Sequence, residues 1–312
     1  MTGVFDYVYD ELPEGLSLFD LPQPKTGFRN FISAWFFIDA AGRRILVDPG
    51  PASTIPLLLD KLSGVTDGVD LVILTHIHLD HSGGIGQFCE RNKNAVVSAH
   101  PKAAKHLIDP GKLWRSSLEV LGDVAEMYGE PSPLDPSRLV ECSKLSGVEV
   151  FETPGHSPHH ISFIAPLGDK RLFFVGEAGG IYYHVASPFG ETYLRPATPT
   201  KFGGDTAQAS IAKIAQAVRG DEIFCYAHWG VSNTPKTMIS KAQEQLDEWM
   251  SHIFQMREQP EDAIIDSLLS RDELLSGYSS LPQDIREREL IFIGNSVRGI
   301  LRYFEDVGRD KK

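Results

Sequence analysis

Leu71-Val72-Ile73-Leu74-Thr75-His76-Ile77-His78-Leu79-Asp80-His81 is the stretch on which the reading of this chain turns. Leu71 to Leu74 is a short, wholly apolar run, the pattern of a buried strand. It opens directly onto four side chains able to hold a divalent metal within six positions, His76, His78, Asp80 and His81. A helix would set His76 and His78 on different faces. A loop leaving a strand can turn all four toward one point, and Ser82-Gly83-Gly84 supplies the tight turn that follows. Imidazole nitrogen with some carboxylate oxygen suits zinc, iron, manganese or cobalt, and suits calcium or magnesium poorly.

Further ligands stand in matching contexts. Val148 to Thr153 reads as a strand ending in Pro154-Gly155-His156-Ser157, where proline and glycine force a turn and leave His156 beyond the strand end. Ile161 to Ala165 and Arg171 to Val175 form an expected hairpin, joined through Leu167-Gly168-Asp169-Lys170, that delivers Gly176-Glu177. Ile223 to Ala227 runs into His228-Trp229-Gly230. Several buried strands therefore end on one rim, and each presents a candidate ligand beside a glycine. His159 and His160 are expected to make structural hydrogen bonds. His100, His106 and His252 are expected to be solvated or satisfied locally.

With these residues in place the chain resembles the metallo-β-lactamase fold hydrolases, over about its first 235 residues. The shared features are the His-x-His-x-Asp-His run, a histidine in a Pro-Gly-His turn, an acid after a strand and a last histidine. The resemblance implies two divalent metal ions, zinc in first place, with iron or manganese as other choices. It implies that His76, His78 and His156 hold one ion and that Asp80, His81 and His228 hold the other. Glu177 stands where that family usually has a bridging aspartate, and its extra methylene moves the carboxylate by about one carbon–carbon bond. Asp48, in Ile45-Leu46-Val47-Asp48-Pro49-Gly50, matches an acid that supports the ligands from behind. The fold implied is α/β, a four-layer αβ/βα sandwich with a C-terminal helical appendage.

The activity implied is hydrolysis of an ester, lactone, thioester or related small molecule. Two cations would share a water and bring its pKa toward neutrality, giving a bridging hydroxide that Asp80 orients. Two other readings stay open: a di-iron oxygen or redox enzyme of the same fold, and a metal-binding regulatory protein with little turnover. Tyr182, His184, Tyr193 and Arg195 are candidates for substrate contact, Arg195 through its planar fork.

Composition narrows the setting. Of 312 residues, 42% are hydrophobic and 23% charged, the profile of a soluble globular protein. A net charge of −12 without a Lys/Arg cluster argues against a nucleic-acid partner and for a small-molecule substrate. Cys89, Cys142 and Cys225 are scattered and odd in number, which points to a reduced, cytoplasmic setting. Cys225 is expected to be a small apolar group on its strand. Met1 to Leu12 has no basic start with an apolar stretch, so no leader is expected. No run approaches the ~20 apolar residues of a membrane span.

Strands are expected at Ser33 to Ile38, Arg44 to Val47, Leu71 to Leu74 and Ala95 to Ser98. Helices are expected at Ile55 to Leu62, Lys102 to Leu107 and Leu113 to Tyr128, an alternation typical of layered α/β proteins. The expected division is residues 1–235 as the metal-binding domain and 236–312 as a helical region. In the latter, Ile239, Ala242, Leu246, Trp249, Ile253 and Phe254 would form one apolar face, with Ile291, Val297, Ile300, Leu301 and Phe304 on a second helix. This tail could cover the cleft, cap the sandwich or join two copies as a homodimer.

Overall fold

A computed structural model describes residues 12–184 and 192–310. The side chain of His184 and residues 1–11, where a leader was considered, lie outside the described residues. The strands are β1 (Leu16–Asp20), β2 (Ser33–Ile38), β3 (Arg44–Val47), β4 (Leu71–Ile73), β5 (Val96–Ala99), β6 (Leu139–Glu141), β7 (Glu149–Glu152), β8 (Ile161–Leu167), β9 (Lys170–Gly176), β10 (Ile181–His184), β11 (Thr192–Arg195), β12 (Glu222–Tyr226) and β13 (Val231–Ser232). The helices are α1 (Ile55–Ser63), α2 (Leu79–Ser82), α3 (Ile85–Arg91), α4 (Ala104–Ile108), α5 (Gly111–Leu121), α6 (Asp123–Tyr128), α7 (Gly204–Ala217), α8 (Pro235–Gln255), α9 (Glu261–Arg271) and α10 (Gln283–Asp310).

Two mixed sheets with helices outside them make the αβ/βα sandwich. One runs β1-β2-β3-β4-β5-β6, the other β13-β12-β9-β8-β7, and β10 pairs with β11 as a ribbon. The sheets meet through an aromatic layer. Phe174 stacks on Phe163 at 4.7 Å and on Phe37 at 5.6 Å, and Trp35 meets it edge-on at 6.2 Å. All four rings are buried, and each contributes roughly 1.5–3 kcal/mol to holding the sheets together. Polar ties run alongside: Trp35 Nε1 donates to the Tyr226 carbonyl at 3.0 Å, and Ser33 Oγ to that of Ala227 at 3.1 Å.

Strand direction explains why the candidate ligands gather. β3 and β4 are parallel neighbours, so Asp48 and His76 leave the same edge of their sheet. β9 and β12 are parallel in the other sheet, so Glu177 and His228 leave theirs together. The two edges are drawn together by the Ile161 N–H, which donates to the Thr75 carbonyl at 2.8 Å, and by a bridge between Ile32 and His228.

Several expected elements differ in detail. The helix expected over Leu113 to Tyr128 is broken into α5 and α6 by Gly122, whose φ of +51° belongs to neither helix. Phe254 on α8 is 43% exposed and Ile291 on α10 is 58% exposed, so neither joins the apolar face expected of it. Ile285, Ile293, Val297 and Ile300 carry the buried face of α10 instead. The helical tail packs on the ribbon: Gln245 Nε2 on α8 donates to the Leu194 carbonyl, and Tyr193 and Arg195 on β11 reach Glu289 on α10. Cys225 is buried on β12 as a free thiol. No helix among the described residues is long and apolar enough to cross a membrane.

Candidate metal centre

His76 leaves β4, and α2 begins one residue after His78, so Asp80 and His81 lie in its first turn. His81 is locked there by the N–H of Gly50, which donates to its carbonyl at 3.0 Å. His156 sits on the turn after β7, Glu177 follows β9, and His228 follows β12. These seven side chains converge in two groups. In the first, His78 Nδ1 lies 3.1 Å from His76 Nε2 and 2.9 Å from His156 Nε2. Glu177 Oε2 completes it, 3.0 Å from His76 Nε2 and 2.6 Å from His156 Nε2. In the second, His81 Nε2 and His228 Nε2 are 3.3 Å apart, with Asp80 Oδ2 at 3.5 and 3.6 Å from them. Glu177 Oε1 joins this group, 3.2 Å from His228 Nε2.

For three of the rings the far side fixes the tautomer. Thr75 Oγ1 donates to Asp48 Oδ2 at 2.6 Å, so at 3.0 Å it can only accept, and His76 Nδ1 carries a proton. His156 Nδ1 donates to the Ala197 carbonyl at 3.0 Å, and His228 Nδ1 to that of Phe31 at 3.3 Å. Each of these rings therefore turns a lone pair on Nε2 toward the centre. Lone pairs and carboxylate oxygens crowded this closely call for an electron-poor partner. A proton satisfies one such contact at a time, whereas a divalent cation meets several at once. The spacing agrees: ligand atoms about 2.0–2.1 Å from a tetrahedral ion lie about 3.3 Å from one another. The donor set fits a nitrogen- and oxygen-preferring metal of the zinc, iron or manganese kind.

Asp48 is buried beneath the cluster in a left-handed conformation, φ +49°. Its Oδ1 accepts from the Thr75 N–H at 2.8 Å, and its Oδ2 lies 3.3 Å from His81 Nδ1. It therefore lies behind the cluster, against Thr75 and His81. Burial penalises a charged His81, yet Asp80, Asp48 and Glu177 outweigh it and raise the ring to about 9. Burial, reinforced by the neighbouring His156, pushes His78 down to about 4. For Glu177 burial acts upward, but His156 and His228 hold the carboxyl well below its ordinary range. A carboxylate kept ionised beside imidazoles, one of them His78 held neutral, is a protonation pattern that metal binding uses.

Glu177 reaches both groups despite its extra methylene. His160 is the residue behind this placement. Its Nε2 accepts from the Glu177 N–H at 3.0 Å, and its Nδ1 lies 2.8 Å from Thr153 Oγ1. Gly176 has φ +60°, and a Cβ there would overlap the His160 ring. His160 is thus a fixed stop that sets how far the backbone of Glu177 stands from the centre. His159, by contrast, meets Ser157 Oγ at 3.1 Å, and burial with nearby His78 and His156 lowers it to about 3.

The expected substrate residues are placed otherwise. Arg195 is buried, with Nε 2.6 Å from Glu289 Oε2, and Tyr193 donates its hydroxyl to the same oxygen at 2.7 Å. Both are spent on joining the ribbon to α10, which corrects the expectation that they face a substrate. Tyr182 is 8% exposed and packs its ring 5.1 Å from that of Tyr226. Thr75 and Phe31, which fix the rings of His76 and His228, were not singled out in the sequence. Thr75 was open to notice as the polar residue ending an apolar strand, whereas nothing local marks Phe31.

Known proteins share this fold. The model of the Metallo-beta-lactamase superfamily matches residues 29–228. A metallo-beta-lactamase fold-containing protein of Sulfurisphaera tokodaii is 26% identical over 224 residues, covering 65% of this chain and 77% of the relative. A hydroxyacylglutathione hydrolase of Chromohalobacter salexigens is 28% identical over 203 residues, covering 62% of this chain and 68% of the relative. The crystal structure of a metallo-beta-lactamase family protein from Thermus thermophilus superposes with a TM-score of 0.62 at 19% identity, over 95% of each chain. With the family match spanning the sandwich from the Phe31 loop to His228, the chain belongs to the metallo-beta-lactamase superfamily.

Proposed function

We propose that this chain is a binuclear metallohydrolase that cleaves a thioester, ester or lactone. The observation that carries the reading is the split of one carboxylate. Glu177 turns Oε2 to the His76, His78 and His156 group and Oε1 to His228 in the Asp80, His81 and His228 group. One residue would thereby belong to two cation sites at once. When bound, a pair of such cations lowers the pKa of a shared water toward neutrality and offsets the charge that builds on a carbonyl oxygen. The chain's own residues do the rest. Asp80 is half-buried, and its carboxylate can accept a hydrogen bond from the attacking water and orient it. Asp48 and Thr75 hold His81 and His76 in place. Relatives that are hydroxyacylglutathione hydrolases put thioesters first among the substrates.

The test is metal analysis with a substrate panel. Protein purified without added metal should carry two equivalents of zinc, iron or manganese. It should hydrolyse a thioester, ester or lactone, and His76→Ala should abolish this. Metal-loaded protein that is inert toward the whole panel would refute hydrolysis and favour a binding role. Fewer than two equivalents under saturating metal would refute the binuclear site.

A further inference from the structure

Phe31 stands apart from the ligands in sequence yet governs one of them. Its ring stacks on that of His228, with centroids 4.1 Å apart and planes inclined by 12°. Its carbonyl accepts the His228 Nδ1 proton at 3.3 Å. One residue therefore fixes the plane and the tautomer of the same imidazole. Phe31 is itself held from the helical tail. The guanidinium carbon of Arg288, on α10, lies 4.3 Å from the Phe31 ring centroid. Arg288 Nη1 donates to the Gly27 carbonyl at 2.6 Å and to the Arg29 carbonyl at 3.1 Å, clamping the segment that leads to Phe31. Phe292, one turn further along α10, packs on the same ring at 5.1 Å. Gly27 lies so close to α10 that a Cβ there would overlap the Asp284 carbonyl.

Arg288 is in turn immobile. It is fully buried, its Nη2 donates to Tyr183 at 2.8 Å, and it pairs with Glu289 Oε1. A buried guanidinium with this many partners costs desolvation that a simple cap would not need. The arrangement makes sense if the position of what it braces matters.

We propose that Arg288 and Phe31 are positioning residues for the Asp80, His81 and His228 cation site, so that α10 is a working part of the metal centre. The inference rests on the binuclear reading above. The tail, which lies outside the stretch matched to the superfamily, acts through a relay: α10 fixes the 27–31 segment, and Phe31 fixes the His228 ring. Groups that orient a ligand from behind are worth about 10- to 100-fold in metal affinity. The His76, His78 and His156 site shares Glu177 but does not touch Phe31, so it is expected to keep its affinity.

The test is a stepwise cobalt titration of apo-protein, reading the two binding constants and the visible ligand-field bands. It is run on the unchanged chain, Phe31→Leu and Arg288→Met, with near-ultraviolet circular dichroism to follow tertiary packing. Leucine keeps the backbone carbonyl and the apolar bulk but removes the flat face; methionine keeps the bulk of Arg288 without the clamp. Both variants should weaken one of the two cobalt-binding steps by about 10- to 100-fold and leave the other within about twofold. Unchanged affinities in both variants would overturn the relay. So would equal weakening of both sites, which is what general loosening of the fold produces. An unchanged chain that takes up only one cobalt would instead refute the binuclear reading, and the two failures are thereby told apart.

Discussion

Glu177→Asp is the most demanding substitution for this centre, because aspartate is the residue that the resemblance led one to expect there. The side chain shortens by about 1.5 Å, one carbon–carbon bond. Glu177 now spans from 2.6 Å at His156 Nε2 to 3.2 Å at His228 Nε2. The backbone cannot follow the shortened carboxylate inward, because the Glu177 N–H is tied to His160 and His160 to Thr153. Withdrawn by most of that bond length, the aspartate loses one group or the other, with its longest contact stretched to about 4 Å or more. A misplacement near 1 Å costs on the order of 100-fold in rate, about 2.7 kcal/mol in barrier. Glu177→Asp should therefore retain one tight metal equivalent of two and lose about 100-fold or more in kcat/KM on the best substrate of the panel. Metal is counted by mass spectrometry after dialysis, and rate by continuous thiol or acid release. A variant that keeps two equivalents and a rate within a few-fold of the unchanged chain would show that the His160 stop does not hold. The account of glutamate at this position would then fail.

Three further outcomes follow from the described geometry. Glu289→Ala leaves Arg195 and Arg288 buried without their carboxylate and should cost about 3–5 kcal/mol in urea unfolding. Burial alone would raise Glu289, but Arg195 and Arg288 hold it at about 2 against an ordinary 4.5. Its stabilisation is thus complete above about pH 4.5 and is lost as pH falls toward 2, and the variant should lack that portion of the acid transition. Gly176→Ala forces φ +60° on a residue with a Cβ and drives that Cβ into His160. It should lose about 1–3 kcal/mol for the backbone alone, together with affinity at both cation sites, whereas Gly168→Ala in the β8–β9 turn, at φ +58° but with open space, should share the backbone cost and leave the metal sites intact. Chelation should lower the melting temperature by several degrees, since cations present at about 1,000 times Kd stabilise by about 4 kcal/mol each. An unchanged melting curve after verified metal removal would contradict binding by these residues.

The parts of this site that are local in sequence were legible there. The His76 to His81 run declares itself because a strand end and a glycine turn bring four candidate ligands together, although the structure divides them between two groups. His156, Glu177 and His228 share a simpler mark, an apolar stretch ending beside a glycine. What stayed hidden depends on partners far along the chain. Arg195 looked free because Glu289 lies 94 positions away, and no periodicity links a β-ribbon to the first turns of a tail helix. Phe31 was invisible for the same reason, its carbonyl partner being 197 positions distant. The break at Gly122 was within reach, since a glycine inside an otherwise periodic segment marks a place where helix geometry can end.

The candidate ligands are divided between two sheets that are separated in the chain, with His76 to His81 on one and Glu177 and His228 on the other. Neither sheet alone assembles the His76, His78, His156 and Glu177 group or the Asp80, His81 and His228 group. Both groups would therefore be assembled only after the second sheet had docked on the first. Cation uptake by either completed group would follow that docking, a chemical signature that the two halves had found each other.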